Sequence, residues 1–176
     1  MKKLQTKEVV DISLYAALIV ISVQFLRIPI GPQFVHLGNA LVVVAVLLFG
    51  TKRASLIACL GLGIFDILNG YAAEVWITLL EAVIVCVLIG FIFEKWMASD
   101  DSKKNVVIIA FVAALTKIIL NLFKYTFINL VVASLPMNAA LISAFVKIIG
   151  TFGTSLVTII AVPILYPIFK SFLGKK

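Results

Sequence analysis

The chain has 176 residues, of which 63% are hydrophobic and 13% charged. Soluble domains average nearer 45–50% apolar and about 25% charged, and a mean hydropathy of +1.21 leaves too little polar surface to cover a fold in water. A soluble globular fold is therefore excluded. A net charge of +7, from 15 Lys+Arg against 8 Asp+Glu, takes its meaning from where the charges fall relative to the apolar runs.

The start, Met1-Lys2-Lys3, resembles the n-region of a signal peptide, but Glu8 and Asp11 interrupt it and no small-residue cleavage site follows. It reads as retained. Apolar runs follow at about Val9 to Leu26, Asn39 to Gly50, Ala54 to Leu68, Ala73 to Phe93, Val106 to Ala133 and Asn138 to Phe172. The second, at 1.5 Å per residue, reaches only about 18 Å and cannot cross a hydrocarbon core of about 30 Å. Residues 1–176 thus read as a single all-α integral membrane domain of six transmembrane helices with a short or broken second helix. Lys2, Lys3, Lys7, Lys52, Arg53, Lys95, Lys103, Lys104, Lys170, Lys175 and Lys176 all fall on one side of a six-span arrangement, at both termini and the second and fourth connections, whereas the other side has Arg27. The positive-inside rule places both termini in the cytoplasm. With no run of four Lys/Arg, a nucleic-acid partner is not expected, and Cys59 and Cys86 lack metal or redox spacing.

The first connection, Arg27 to Gly38, contains Pro29 and Pro32 and precedes the short helix. Part of it must dip to membrane depth, where irregular backbone is tolerated if it is buried in protein or lines a cavity. An outward-facing cavity is expected there. Asp66, Glu74, Glu81, Lys117, Lys124 and Lys147 lie within or at the outer ends of the helices, and such groups normally face a bundle interior. Three helical stripes support one shared interior: Glu74, Thr78 and Glu81; Lys117, Asn121 and Lys124, with Tyr125 beside the last; and Ser143, Lys147, Thr151 and Thr154. From helical rise Glu81 lies roughly 12 Å from its helix end, near the midplane, where it can pair with Lys117 or Lys147. Three acids against three lysines favour a small polar or aromatic ligand over a heavily anionic one. Candidate ligand contacts are Gln33, Phe34, His36, Asn39, Asp66, Asn69, Tyr71, Trp76, Glu81, Lys117, Asn121, Lys124 and Lys147. Structural roles stand beside these: snorkelling for Lys124, helix or turn capping for Gln33, His36, Asn39 and Asn69, bracing for Asp66, and an interfacial belt for Phe34, Tyr71 and Trp76. No phosphate loop, H-E-x-x-H or G-x-S-x-G motif occurs, and a single His cannot build a multi-His metal centre. No catalytic or metal site and no cofactor is expected in this chain.

At Val35-His36-Leu37-Gly38-Asn39-Ala40, Leu48-Phe49-Gly50 and Phe65-Asp66-Ile67-Leu68-Asn69-Gly70-Tyr71, followed by Trp76 and Thr78, the sequence resembles the substrate-binding S component of an energy-coupling factor (ECF) vitamin transporter, and within it the hydroxymethylpyrimidine-type and riboflavin-type branch. The resemblance implies a multi-pass protein of the bacterial cytoplasmic membrane. It also implies a transmembrane T component and two ATP-binding-cassette ATPases as partners, with ATP and Mg on the ATPases, and a small vitamin as ligand. The family's A-x-x-x-A stretch on the first helix, where it meets the T component, corresponds to Ser13 and Ala17, both small enough for close helix approach. The family's Gly-Asp-Ala at the head of the second helix is Gly38-Asn39-Ala40 here. Hydroxymethylpyrimidine or a B6 vitamer is the first expectation for ligand and riboflavin the next. A stand-alone secondary transporter or channel, and an intramembrane enzyme using Asp66 or Glu81 as acid or base, are the readings from other classes.

Overall fold

A computed structural model of the chain describes residues 5–31 and 33–173; Met1, Lys2, Lys3, Pro32, Lys175 and Lys176, used above for the chain start, the first connection and the orientation, lie outside the described residues. The elements in order are α1 (Thr6–Phe25), a hairpin of β1 (Ile28–Ile30) and β2 (Gln33–Val35), α2 (Gly38–Phe49), α3 (Thr51–Leu68), α4 (Val75–Phe91) running into a π-helical turn at Ile92–Trp96, α5 (Lys103–Val131), α6 (Met137–Lys147) and α7 (Ile149–Phe172). Four of these helices are long and apolar enough to cross a membrane: Thr6–Phe25, Val75–Trp96, Lys103–Val131 and Ile149–Phe172. The chain is an all-α membrane protein. Its outer surface agrees: Phe25 is 77% exposed, Phe123 72% and Trp76 63%, which water would penalise and lipid does not.

The short α2 is the core. Ala40 through Leu48 are all buried, and the helix packs against α1, α3, α4, α5 and α7. A helix apolar on every face is one surrounded by protein, so its 12 residues need not match the bilayer thickness. The Tyr15 hydroxyl donates to the Leu41 carbonyl at 3.1 Å, fixing α1 to α2. A tight turn at Gly50, with φ +77°, reverses the chain into α3. Glu94 caps that helix from the π turn, accepting from the Thr51 amide at 2.9 Å and the Thr51 hydroxyl at 2.7 Å, so orphan donors at the α3 N-terminus are satisfied from another element.

Two expectations are corrected. The run from Asn138 to Phe172 is two helices, broken at Ile148. The cause is tertiary. The Thr151 amide bonds Ile148 O at 2.8 Å and Gln33 Oε1 at 2.9 Å, in place of an i→i−4 bond to Lys147. The hairpin also lies directly on α7, where a Cβ at Gly150 would sit 2.6 Å from Gln33 Cβ and one at Gly153 2.4 Å from Val35 Cγ2. The first connection, expected to be irregular, is the antiparallel pair β1–β2, with Ile28 opposite Val35 and Ile30 opposite Gln33. Short α6 is held to α5 by buried Asn129, whose Nδ2 donates to the Ala140 carbonyl at 3.1 Å.

Candidate functional site: a charged and aromatic cavity

The C-terminal ends of α1 and α3, the hairpin, the first turns of α2, α4 and α7, the outer half of α5 and the last turn of α6 meet at one end of the bundle. They enclose a cavity of about 280 Å³. It lies at the opposite end from the Thr51-Lys52-Arg53 turn and the charged connection between α4 and α5.

One wall is ionic. Glu81 on α4 and Lys117 on α5 form a buried ion pair through Glu81 Oε2, while Lys124, about two turns further along the same face of α5, stands 3.5 Å from Glu81 Oε1 and 3.8 Å from Glu74. Of the two pairings open to Glu81, Lys117 is the one formed. Lys147 lies across the cavity on α6 and is not its partner. Asp66, 9% exposed, adds a third acid from α3. Glu74, Thr78 and Glu81 all line the cavity, as do Lys117, Asn121 and Lys124; the i, i+4, i+7 spacing of each set puts one stripe of each helix on the same interior. Asn121 also donates to the Lys117 carbonyl at 3.1 Å. From the third stripe Lys147, Thr151 and Thr154 are in the wall and Ser143 is not, because the break at Ile148 interrupts its helical register.

The second wall is aromatic. Phe34 of β2 meets Phe65 edge-on at 5.7 Å between centroids and Tyr71 at 6.3 Å, and Phe65 stacks on Tyr71 at 6.4 Å. The Arg27 guanidinium sits 5.3 Å from both the Phe34 and Phe65 ring centres and donates to Asn69 Oδ1 at 3.2 Å. Opposite, the Tyr125 ring has Lys124 Nζ and Lys147 Nζ each 5.0 Å from its centre, and its hydroxyl lies 3.5 Å from Gln33 Nε2. His36 both caps and lines: its Nδ1 accepts from the Gly38 amide at 3.0 Å, and its ring packs on Phe34 at 5.5 Å. Asn39 reaches the cavity from the first turn of α2.

Of the residues singled out in the sequence, Gln33, Phe34, His36, Asn39, Asp66, Tyr71, Glu81, Lys117, Asn121, Lys124 and Lys147 are brought together in this wall, and Asn69 and Trp76 are not. Trp76 lies two residues from both Glu74 and Thr78, about 200° round the helix, so its 63% exposure is toward lipid. Asn69 terminates α3, its Nδ2 donating to the Phe65 carbonyl at 2.9 Å and its Oδ1 receiving Arg27. Sequence reasoning passed over Arg27, counted as the one basic residue of the outer side, and Phe65, which stood inside the quoted Phe65-Asp66 motif. Tyr125, Glu74, Thr78, Thr151 and Thr154 were visible as stripe members. Val23 and Leu62, also in the wall, carry no signal that separates them from other apolar core residues. Among the described residues no group of three His, Cys, Asp or Glu side chains is placed to hold a metal ion.

Apolar helices enclosing a cavity with an ionic and an aromatic wall define a membrane-embedded small-molecule-binding protein. Over residues 3–171 the chain matches the family model described as ECF-type riboflavin transporter, S component. It belongs to that family, and is a substrate-binding subunit of an ECF-type transporter. No curated protein matches the chain.

Proposed function

We propose that the chain captures riboflavin from outside the cell in the cavity between the hairpin and α3 to α7, and delivers it inward together with a T component and two ABC-type ATPases. The observation that carries this reading is the cavity itself: aromatic faces on both sides for a flat ring system, and charged and amide groups for its polar edges. The riboflavin description of the family favours this ligand over hydroxymethylpyrimidine or a B6 vitamer, the first expectations, which no comparison supports. The candidate contacts are the eleven wall residues named above. Phe65 and Tyr125 join them, and Arg27 ties the hairpin to the end of α3 through Phe34, Phe65 and Asn69.

The proposed topology has six crossings with both termini on the cytoplasmic side of a bacterial membrane, α6 and α7 together forming the last. Lys52, Arg53, Lys95, Lys103 and Lys104, all at the end away from the cavity, support that orientation. Ser13 and Ala17 on the exposed face of α1 suit close contact with a T-component helix. ATP and Mg belong to the ATPases, and this chain performs no chemistry of its own. Titrating the purified protein with riboflavin and following flavin fluorescence tests the reading. Saturable one-to-one quenching is expected. No quenching, with binding of hydroxymethylpyrimidine or pyridoxine instead, contradicts it, and uptake by vesicles that contain this chain without a T component and ATPases points to a stand-alone transporter.

A further inference from the structure

The carboxylate of Glu81 is used on one side only. Its Oε2 is held by Lys117, whereas Oε1 is buried with no hydrogen-bond partner. Lys124 Nζ, at 3.5 Å, is beyond the 2.7–2.9 Å of a charge-assisted hydrogen bond. An ionised oxygen left without a donor in a residue only 7% exposed is costly, and its residue lines the ligand cavity. Lys124 is shared among three loose contacts, Glu81 at 3.5 Å, Glu74 at 3.8 Å and the Tyr125 ring at 5.0 Å. Its flexible four-carbon stem can therefore swing aside without breaking a short bond.

Along this wall the Glu81 carboxylate stands between two ammonium groups, Lys117 on Oε2 and Lys124 beside Oε1: a donor on each side of one acceptor. The edge complementary to it is acceptor, donor, acceptor, which is the edge of a cyclic imide, an N–H between two carbonyls. We infer that the ligand docks an imide-type ring edge on Glu81, its N–H donating to Oε1 while Lys117 and Lys124 donate to the flanking carbonyls. This rests on the riboflavin reading and deepens it, because the pyrimidinedione ring of a flavin carries that edge at N3. An aminopyrimidine lacks the flanking carbonyls and so does not present the acceptor, donor, acceptor edge. The assignment makes Glu81 a specificity-determining residue, with Oε1 left for the ligand while Oε2 is held by Lys117.

The test is a binding titration of the full chain with riboflavin, 3-methylriboflavin and lumazine, a pteridinedione with the same imide edge and no third ring. Methylation at N3 removes the donor without changing the protein, so folding is not in question. Wild-type protein is expected to bind 3-methylriboflavin on the order of 10- to 100-fold more weakly than riboflavin, and Glu81→Gln is expected to narrow that gap. Equal affinities for the two flavins overturn the imide assignment and leave the riboflavin reading standing, as does a gap of the same size in Glu81→Gln. Binding of lumazine without riboflavin keeps the edge assignment and removes the riboflavin reading. Binding of none of the three overturns both.

Discussion

Glu81 and its two lysines separate groups that hold the fold from groups free to meet a ligand. Removing the Lys117 ammonium takes the close partner from a buried carboxylate and leaves it Lys124 at 3.5 Å, at a cost of up to about 3 kcal/mol. Lys117→Met is therefore expected to lower the melting temperature in detergent clearly, and Glu81→Gln added to it to restore most of the loss; no recovery in the double variant would show that the pair does not act as a unit. Lys147 differs, since it lies over the Tyr125 ring at 5.0 Å, a contact worth about 1 kcal/mol at most when partly hydrated. Lys147→Ala is expected to weaken ligand binding while leaving the melting temperature within a degree or two, and unchanged affinity in a titration removes it from the site. Trp76→Ala, on the lipid side, should alter neither. The ionic wall was legible residue by residue because membrane-embedded charge is rare enough to stand out. Arg27 was not: at a helix end it looks like any interfacial cation, and its role comes from lying over two rings of distant segments.

At the scale of elements, spacing of i, i+4 and i+7 on α4 and α5 was enough to align two stripes, and the same rule, applied through Trp76 at i+2, excludes it. The break at Ile148 and the hairpin were not legible. No Pro or Gly stands at the break itself, and Gly150 just beyond it lies inside α7; the contact that holds the break comes from Gln33, 118 residues away from Thr151. Strands of three residues are likewise too short for an alternating pattern. The close seat of β2 on α7 makes a prediction: Gly153→Val forces the hairpin off the helix, destabilises by about 1–3 kcal/mol as overpacking does, and weakens ligand binding through displaced Phe34. Ligand affinity equal to wild type would show that the hairpin does not shape the cavity. At the other end, Asp101 accepts from Tyr166 at 2.6 Å and from Lys170, tying the α4–α5 connection to α7. The Lys170 ammonium, then the Tyr166 hydroxyl, hold its carboxyl below the ordinary value of 3.8. A lowered folded-state value stabilises above the unfolded one and is lost as pH falls through the folded one. The melting-temperature advantage of wild type over Asp101→Asn should accordingly be full at pH 7 and shrink below about pH 4; an advantage independent of pH contradicts the assignment.

At the scale of the whole molecule, the apolar composition has a direct structural counterpart: a buried helix, α2, wrapped by helices whose outer faces keep Phe, Leu, Ile and Val exposed to lipid. The basic charge divides as its positions imply, between turns at one end and a small balanced set inside the cavity at the other. That much follows from bilayer physics and was readable from one sequence. Ligand identity was less so, because a flat aromatic vitamin of either kind satisfies the same composition, and the discrimination we propose turns on which oxygen of Glu81 is left without a donor. The most direct test of the central claim is native mass spectrometry of the chain purified from cells that make both riboflavin and pyrimidine vitamins. The expected result is a one-to-one adduct of riboflavin mass, reduced in abundance in Lys147→Ala. An adduct of another vitamin, or a chain that stays empty in excess riboflavin, would contradict it.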